Sequence, residues 1–290
     1  MNLIFLETFM KKFILISFVS LIFISCSMEQ TSENPEGYDG ESIFVEFMPC
    51  QAGPDYSVEN MQEMIGEWRS LLTADELRGA WGYAPASESN AFGNTGWWEL
   101  NWSSQDAANT AWSQWGSNAE ALAWTEKYES VLSCDEEGRN SLDAIFPVES
   151  NHFGTLPESG YFYSEFYHCF YNEGSSKDDA EAFLPKYTAE VYANSDGFEG
   201  TSFHFGNYFA QLNEDGSHTE EGIDFLWASF TNSEASMVQT TEVFESSMRS
   251  ILFPQFSEFA TCRDDVVDVY HGWTFYNSEQ KDFMPDFSSY

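Results

Sequence analysis

The feature that most constrains this chain is that it repeats itself. Ser42-Ile43-Phe44-Val45-Glu46-Phe47-Met48-Pro49-Cys50 aligns with Tyr161-Phe162-Tyr163-Ser164-Glu165-Phe166-Tyr167-His168-Cys169 at an offset of 119 residues, with Glu46/Glu165, Phe47/Phe166 and Cys50/Cys169 as identities. The same offset carries Met61, Met64, Ile65, Trp68 and Leu72 onto Ala180, Phe183, Leu184, Tyr187 and Val191. That i, i+3, i+4, i+7 spacing is the apolar stripe of an amphipathic helix. Further on the offset grows: Trp81-Gly82 matches Phe205-Gly206 at 124, Gly96 matches Gly222 at 126, and Cys134 matches Cys262 at 128. A duplication with lengthened loops gives this drift.

Each repeat reads as β-α-β-β-α-β. The first has a strand at Ile43–Met48, a helix at Val58–Leu72, strands near Ala80–Ala84 and Trp97–Trp102, a helix over Asp106–Leu132 and a last strand near Leu142–Val148. The second has a strand at Phe162–Tyr167, a helix at Asp178–Tyr192, strands near Ser202–Gln211 and Ile223–Phe230, a helix over Ser233–Phe259 and a last strand near Val266–Tyr276. Gly116-Ser117 and Pro254 mark expected helix breaks. This order is ferredoxin-like.

Two such units in tandem, over roughly residues 40 to 280, resemble the dimeric α+β barrel superfamily. The resemblance implies an α+β fold in which the two sheets close into one barrel with the helices outside. It also implies a monomer, because the two repeats supply the pseudo-dimer. Two independent ferredoxin-like domains are the alternative. The expected units are 41–150 and 151–290. The superfamily includes small monooxygenases, isomerases, haem enzymes and proteins without known activity, so the fold carries little functional weight.

The N-terminus reads as a targeting signal. Met10-Lys11-Lys12 precedes an apolar run from Phe13 to Ile24, then Ser25-Cys26. The run is too short to span a bilayer and suits a signal core. A small residue before Cys26 resembles the lipobox of bacterial lipoproteins, although Phe23 stands where that family usually has Leu. The resemblance implies a signal peptide over 1–26, lipid attachment at Cys26 and residence in the bacterial cell envelope, on the outer membrane facing the periplasm or the cell surface. Residues 27–40 form a polar tether.

Four cysteines remain beyond Cys26, an even count for an oxidising compartment, with three connectivities open. The β-α-β-β-α-β order brings the end of each first strand and the end of each second helix to the same end of its unit. That predicts Cys50–Cys134 and Cys169–Cys262.

Eleven Lys+Arg stand against 48 Asp+Glu, a net charge of -37. Such a surface repels nucleic-acid phosphates and anionic headgroups, so no nucleic-acid partner is expected. Solvated carboxylates also suit a salty medium. Asn194-Ser195-Asp196-Gly197 and Asn213-Glu214-Asp215-Gly216 are too short to match a calcium loop. No nucleophile elbow, zinc-protease helix or phosphate loop is present, and no metal or cofactor is expected. None of the histidines His152, His168, His204, His218 and His271 stands out as a haem ligand.

Strand alternation supplies the candidate site. Ile43, Val45 and Phe47, with Phe162, Ser164 and Phe166, are expected under the helices. Phe44, Glu46 and Met48, with Tyr163, Glu165 and Tyr167, are then expected to face the lumen, joined by His204, Asp224 and His271 from later strands. The ligand-binding candidates are thus Glu46, Tyr163, Glu165, Tyr167, His204, Asp224 and His271. Trp97, Trp98, Trp102, Trp112, Trp115 and Trp124 cluster in one stretch, either as core or as a stacking surface for a flat ligand; the spacing of Trp112 and Trp115 favours core.

Two function classes remain. One is a lipid-anchored envelope protein whose barrel binds a small ligand or serves an interaction. The other is a cofactor-free enzyme of monooxygenase or isomerase type using inward Glu, Tyr and His. A lumen filled by Tyr and Phe favours the first; an open lumen with Glu46, Glu165 and a histidine within hydrogen-bond reach favours the second.

Overall fold

A computed structural model describes residues 40–73, 75–211 and 222–288. The 1–26 leader with Cys26, nearly all of the 27–40 tether, and His218 lie outside the described residues. The strands are β1 (Ser42–Ala52), β2 (Leu77–Pro85), β3 (Gly96–Trp102), β4 (Leu132–Cys134), β5 (Asn140–Ile145), β6 (Tyr161–Tyr171), β7 (His204–Ala210), β8 (Phe225–Thr231) and β9 (Ala260–Asn277). The helices are α1 (Val58–Leu71), α2 (Gln105–Ser117), α3 (Ala119–Tyr128), α4 (Lys177–Ala193), α5 (Ser195–Phe198), α6 (Glu234–Val243) and α7 (Arg249–Phe259).

Serines start the main helices. Ser57, Ser104 and Ser233 accept a backbone N–H from the first turn of α1, α2 and α6, and Ser176 forms a capping box with Asp179 on α4. The break expected at Gly116-Ser117 is real, and Asn118 caps α3 by accepting from Glu120 N at 2.9 Å. Pro254 does not break its helix; it lies inside α7. The irregularity falls earlier, in a π-helical turn over Phe244–Met248 that joins α6 to α7. An interior proline forfeits one helical hydrogen bond and crowds the preceding turn, a cost that the burial of Leu252 and Phe259 on α7 offsets.

The strands run in the order β3-β2-β9-β6-β8-β7-β5-β1-β4, and β3 also pairs with β1. That extra pairing closes β1-β3-β2-β9-β6-β8-β7-β5 into a ring, with every pairing antiparallel. Within the ring, β2-β3-β1-β5 and β9-β6-β8-β7 are the two ferredoxin-like units, joined by the β2–β9 and β5–β7 ladders. The chain is therefore an α+β protein with a shared pseudo-dimeric barrel rather than two separate domains.

Both predicted disulfides are present, Cys50–Cys134 and Cys169–Cys262. The route differs from the expected one. Cys134 sits on the short strand β4 and Cys262 on β9, each directly opposite its partner in an antiparallel ladder. Strand register, not a helix end, sets each pair at Cα separations of 4.0 and 3.9 Å.

The facing of the first strands is the reverse of the expectation. Val45, Phe47, Phe162 and Phe166 belong to the lumen core, where rings from the two units meet: Phe47 lies 6.3 Å from Phe166, and Tyr83 lies 5.5 Å from Phe162. Phe44 and Met48 pack instead with Met61, Met64, Ile65 and Trp68 of α1. Alternation separates two faces, but here both faces are buried, and the lumen is the more aromatic one. At Gly272 a Cβ would stand 2.2 Å from the Phe162 ring, so the lumen packing needs glycine there.

The repeat also slips where the sequence match is weakest. Pro49 opposes Trp97 and His168 opposes Leu226, while Tyr83 opposes Trp97 and Tyr208 opposes Leu226. Tyr83 and Tyr208 are thus true counterparts, one residue off the register implied by Trp81-Gly82 and Phe205-Gly206. In a strand one residue exchanges the faces.

Candidate functional site

The two units hold different spaces between sheet and helices. In the first, tryptophans fill it. Trp98 and Trp102 are buried, Trp112, Trp115 and Trp124 pack on them, and a cavity of about 120 Å³ remains. These indoles are core, as the helix spacing suggested; Trp97 alone of the group belongs with the lumen cluster. In the second unit the corresponding space is a cavity of about 580 Å³. Pockets of about 300–1,000 Å³ suit small-molecule ligands.

Sheet and helices build this cavity from opposite sides. Strand β6 contributes Glu165 and Tyr167, and β8 contributes Trp227 and Ser229. Phe183 and Tyr187 project from α4 because they continue its buried stripe with Ala180, Leu184 and Val191. Tyr187 meets Trp227 at 4.6 Å between ring centroids, and Trp227 stacks on Phe205 with planes 2° apart. Phe244 and Glu245 come from the π-helical turn, and Arg249 and Phe256 from α7. π-Turns inserted in α-helices recur at functional sites because the extra residue re-aims side chains. At the rim Arg249 pairs with Glu245 at 2.5 Å.

Glu165 and Tyr167 are the polar centre of the sheet wall. The Tyr167 hydroxyl donates to Glu165 Oε2 at 2.7 Å. Burial raises the Glu165 carboxyl above its ordinary range, and the Tyr167 bond only partly offsets this. Burial first, and the neighbouring Glu165 second, push the Tyr167 phenol up. A carboxyl of this kind can accept a hydrogen bond when ionised and donate one when protonated.

The other candidates are dispersed. Glu46 faces the first unit's helices, where it accepts from Trp102 Nε1 at 2.9 Å, Trp112 Nε1 at 2.7 Å and Arg139 Nε at 2.9 Å. All its capacity goes into holding α2 and the β4–β5 loop against the sheet, so it is an anchor rather than a lumen ligand. Tyr163 and His271 share the outer face of the sheet, with ring centroids 5.8 Å apart, and Tyr161 Oη lies 2.9 Å from His271 Nδ1. Burial lowers the His271 pKa and raises that of Tyr163 to about 12. His204 does lie on the lumen side, at one end of the barrel, where it stacks on Phe230 and donates from Nδ1 to Ser202 O at 3.1 Å. Burial brings its pKa down to about 4. Asp224 accepts from Tyr171 N at 2.6 Å, beside the start of β8. Of the seven candidates, only Glu165 and Tyr167 line the large cavity.

The lumen is filled by Phe and Tyr, and its polar residues are ones the first-strand reading passed over. Glu99 on β3 is buried and accepts from the hydroxyls of both Tyr83 and Tyr208, the latter at 3.2 Å. Burial lifts its pKa to about 7 against the opposing pull of the two phenols. The counterpart of Glu99 is Ala228, since each opposes the repeat's shared phenylalanine, Phe47 or Phe166. A single carboxyl is thus shared by two pseudo-symmetric tyrosines. The alternation Trp97, Glu99, Asn101 along one apolar strand was the signal that could have found it. His168 and Asp268 form a second buried lumen pair, 2.8 Å apart.

A haem held through histidine does not fit the large cavity. None of its lining residues is a histidine, and Cys262 at its edge is consumed in a disulfide.

No protein-family model and no curated protein matches the chain. Solved structures do resemble it. A Lactobacillus acidophilus NCFM protein described as a monooxygenase aligns over 81% of this chain and 94% of its own, at 10% identity and a TM-score of 0.44. Chlorite dismutase from Candidatus Nitrospira defluvii, in complex with imidazole, aligns over 82% of this chain and 93% of its own, at 10% identity and a TM-score of 0.42. Both are dimeric α+β barrel proteins. At such identities the chemistry of this chain rests on its own residues.

Proposed function

We propose that the protein is a lipid-anchored component of the bacterial cell envelope that binds a flat, largely apolar small molecule in the second unit's cavity. The observation that carries this reading is the contrast between the two units. Tryptophans occupy the sheet–helix space of the first, whereas in the second the same space stays open at about 580 Å³, walled by Phe183, Tyr187, Trp227 and Phe256. Aromatic walls favour an aromatic or polyene ligand. Glu165 and Tyr167 give it one polar contact, best suited to a hydroxyl, amide or amine. The aromatic filling of the lumen supports binding or interaction over lumen chemistry.

A second reading follows from Glu165 itself. A carboxyl raised by burial beside a phenol is also a candidate proton acceptor, and a cofactor-free enzyme would place its base there.

The test is to purify the protein from its native envelope and examine it by native mass spectrometry. A retained apolar molecule, lost in Trp227→Ala and weakened in Glu165→Gln, supports the binding reading. A retained molecule unaffected by either change overturns this location. Ligand released in altered chemical form by wild type, but unaltered by Glu165→Gln, favours the enzyme.

A further inference from the structure

At one end of the barrel the lumen opens into a separate small cavity of about 100 Å³. Its walls are aromatic: Phe47, Phe92, Trp97 and Tyr270, with Tyr83 and Tyr208 below. Neighbouring walls stand nearly perpendicular. Phe92 meets Trp97 at 83° and Phe47 meets Trp97 at 87°, while Tyr83 meets Tyr270 at 81°. Perpendicular rings make a box rather than a stack, and a box turns some ring faces toward its interior.

Two buried acids accompany this box. Asp268 lines it, accepting from Ala91 N at 2.5 Å and bonding His168 Nε2 at 2.8 Å. Glu99 sits behind the hydroxyls of Tyr83 and Tyr208. No lysine or arginine is among the lining residues. The β2–β3 loop is fastened over the mouth: Asn90 exchanges hydrogen bonds of 2.9 Å with Val269 O and Val269 N, which sets Phe92 against Trp97 and His168.

We propose that this end of the barrel is a binding site for a small alkylammonium cation, the methylated amine head of a larger molecule or a free quaternary amine. The electron-rich faces of tryptophan and tyrosine attract such a cation, and attract it more strongly when it is desolvated. An ammonium without N–H groups asks for no hydrogen-bond acceptor, which fits walls that are mostly hydrocarbon. A cavity of about 100 Å³ at the end of the barrel leaves room for one compact head group at most, with the rest of a larger molecule outside it. The protein's net charge of -37 draws cations toward every opening of the barrel. This site is independent of the large cavity in the second unit.

The decisive comparison is choline against 3,3-dimethyl-1-butanol, its uncharged carbon isostere. Binding is read by isothermal titration and by tryptophan fluorescence in ~1 M NaCl, where the Debye length of about 3 Å silences the acidic surface. Choline is expected to bind about tenfold or more tightly than the isostere, the scale of a desolvated cation–π contact. Phe92→Leu, on a partly exposed loop residue, should weaken choline about fivefold or more with the fold unchanged, and Asp268→Asn should weaken it too. The idea is overturned by equal affinity for choline and the isostere, by no saturable choline binding, or by choline binding that Phe92→Leu leaves intact. Ligand retention in the large cavity should not respond to Phe92→Leu, which separates this test from that of the proposed function.

Discussion

Glu46 and Glu165 occupy the same position of the duplicated first strand, but among the described residues Glu46 pairs with a cation and Glu165 with a phenol. Glu46 Oε1 lies 2.9 Å from Arg139 Nε while Oε2 takes two indole N–H groups; Glu165 has the Tyr167 hydroxyl at 2.7 Å. One copy of an ancestral carboxyl has become a structural clamp, and the other has been left facing a cavity.

That difference makes opposite expectations for the same substitution. Glu46→Gln keeps the shape but replaces a charged acceptor beside Arg139 by a neutral amide. Hydrogen bonds to charged groups are worth about 1.5–3 kcal/mol, and the Arg139 side chain is 27% exposed, so a loss near the lower end, about 1–2 kcal/mol, is expected in urea unfolding. Glu165→Gln should leave the urea midpoint nearly unchanged or raise it, because it removes a carboxyl that burial penalises. Equal destabilisation of the two variants would mean that both glutamates are clamps.

The disulfides yield a second expectation. Each closes a long loop, with sequence separations of 84 and 93 residues. In the chain-entropy account a loop of that size is worth roughly 4–5 kcal/mol. Cys50→Ser/Cys134→Ser and Cys169→Ser/Cys262→Ser should each lower the unfolding free energy by an amount of that order, and reduction of the wild type should do so for both together. Differential scanning calorimetry with and without reductant measures it. Unchanged stability on full reduction would remove the disulfides from the account of the fold.

Anchoring through Cys26 is a third. The leader's short apolar run and Ser25-Cys26 motivate it, and both lie outside the described residues. Cys26→Ala should shift the protein from the membrane fraction to the soluble fraction, and the wild type should carry an acyl mass on its first residue. A wild type without acyl mass, together with a variant that stays on the membrane, would overturn it.

Much of this architecture is written in the repeat. The strand at Ser42–Cys50, the helix stripe through Met61, Met64, Ile65 and Trp68, and the recurrence of all of these fix the element order, and the order fixes the barrel. The cysteines were legible because they recur with the strands, even though ladder register and not a helix end joins them. The site was less legible for a definite reason. In a barrel wrapped by helices both faces of a strand are buried, so polarity does not say which face is the lumen; alternation alone points Glu46 and Glu165 inward, whereas both face the helices. The space around Glu165 goes with a smaller residue in the second unit, Thr231 where the first unit has Trp102, a difference that no single strand displays. Glu99 was missed because it has no counterpart in the repeat: where the first unit carries Glu99, the second carries Ala228.

Glu99 also sets a pH dependence whose sign can be worked out. Its carboxyl is fully buried, and burial raises the pKa from 4.5 to about 7 in the folded protein. The folded state therefore holds this proton more tightly than the unfolded chain. Stability from this group is fully present below the unfolded value of 4.5 and is lost as pH rises through about 7. At 1.36 kcal/mol per pKa unit the total is on the order of 3 kcal/mol, shed between those two limits. Other carboxylates titrate in the same window, so the measurement is a difference: unfolding free energy against pH for the wild type and for Glu99→Gln, which stays neutral and can still accept from Tyr83 and Tyr208. The variant should match the wild type near pH 4 and exceed it by a few kcal/mol at pH 8. A constant offset between the two curves would show that Glu99 does not titrate on folding, and that the two tyrosines hold it ionised in the barrel.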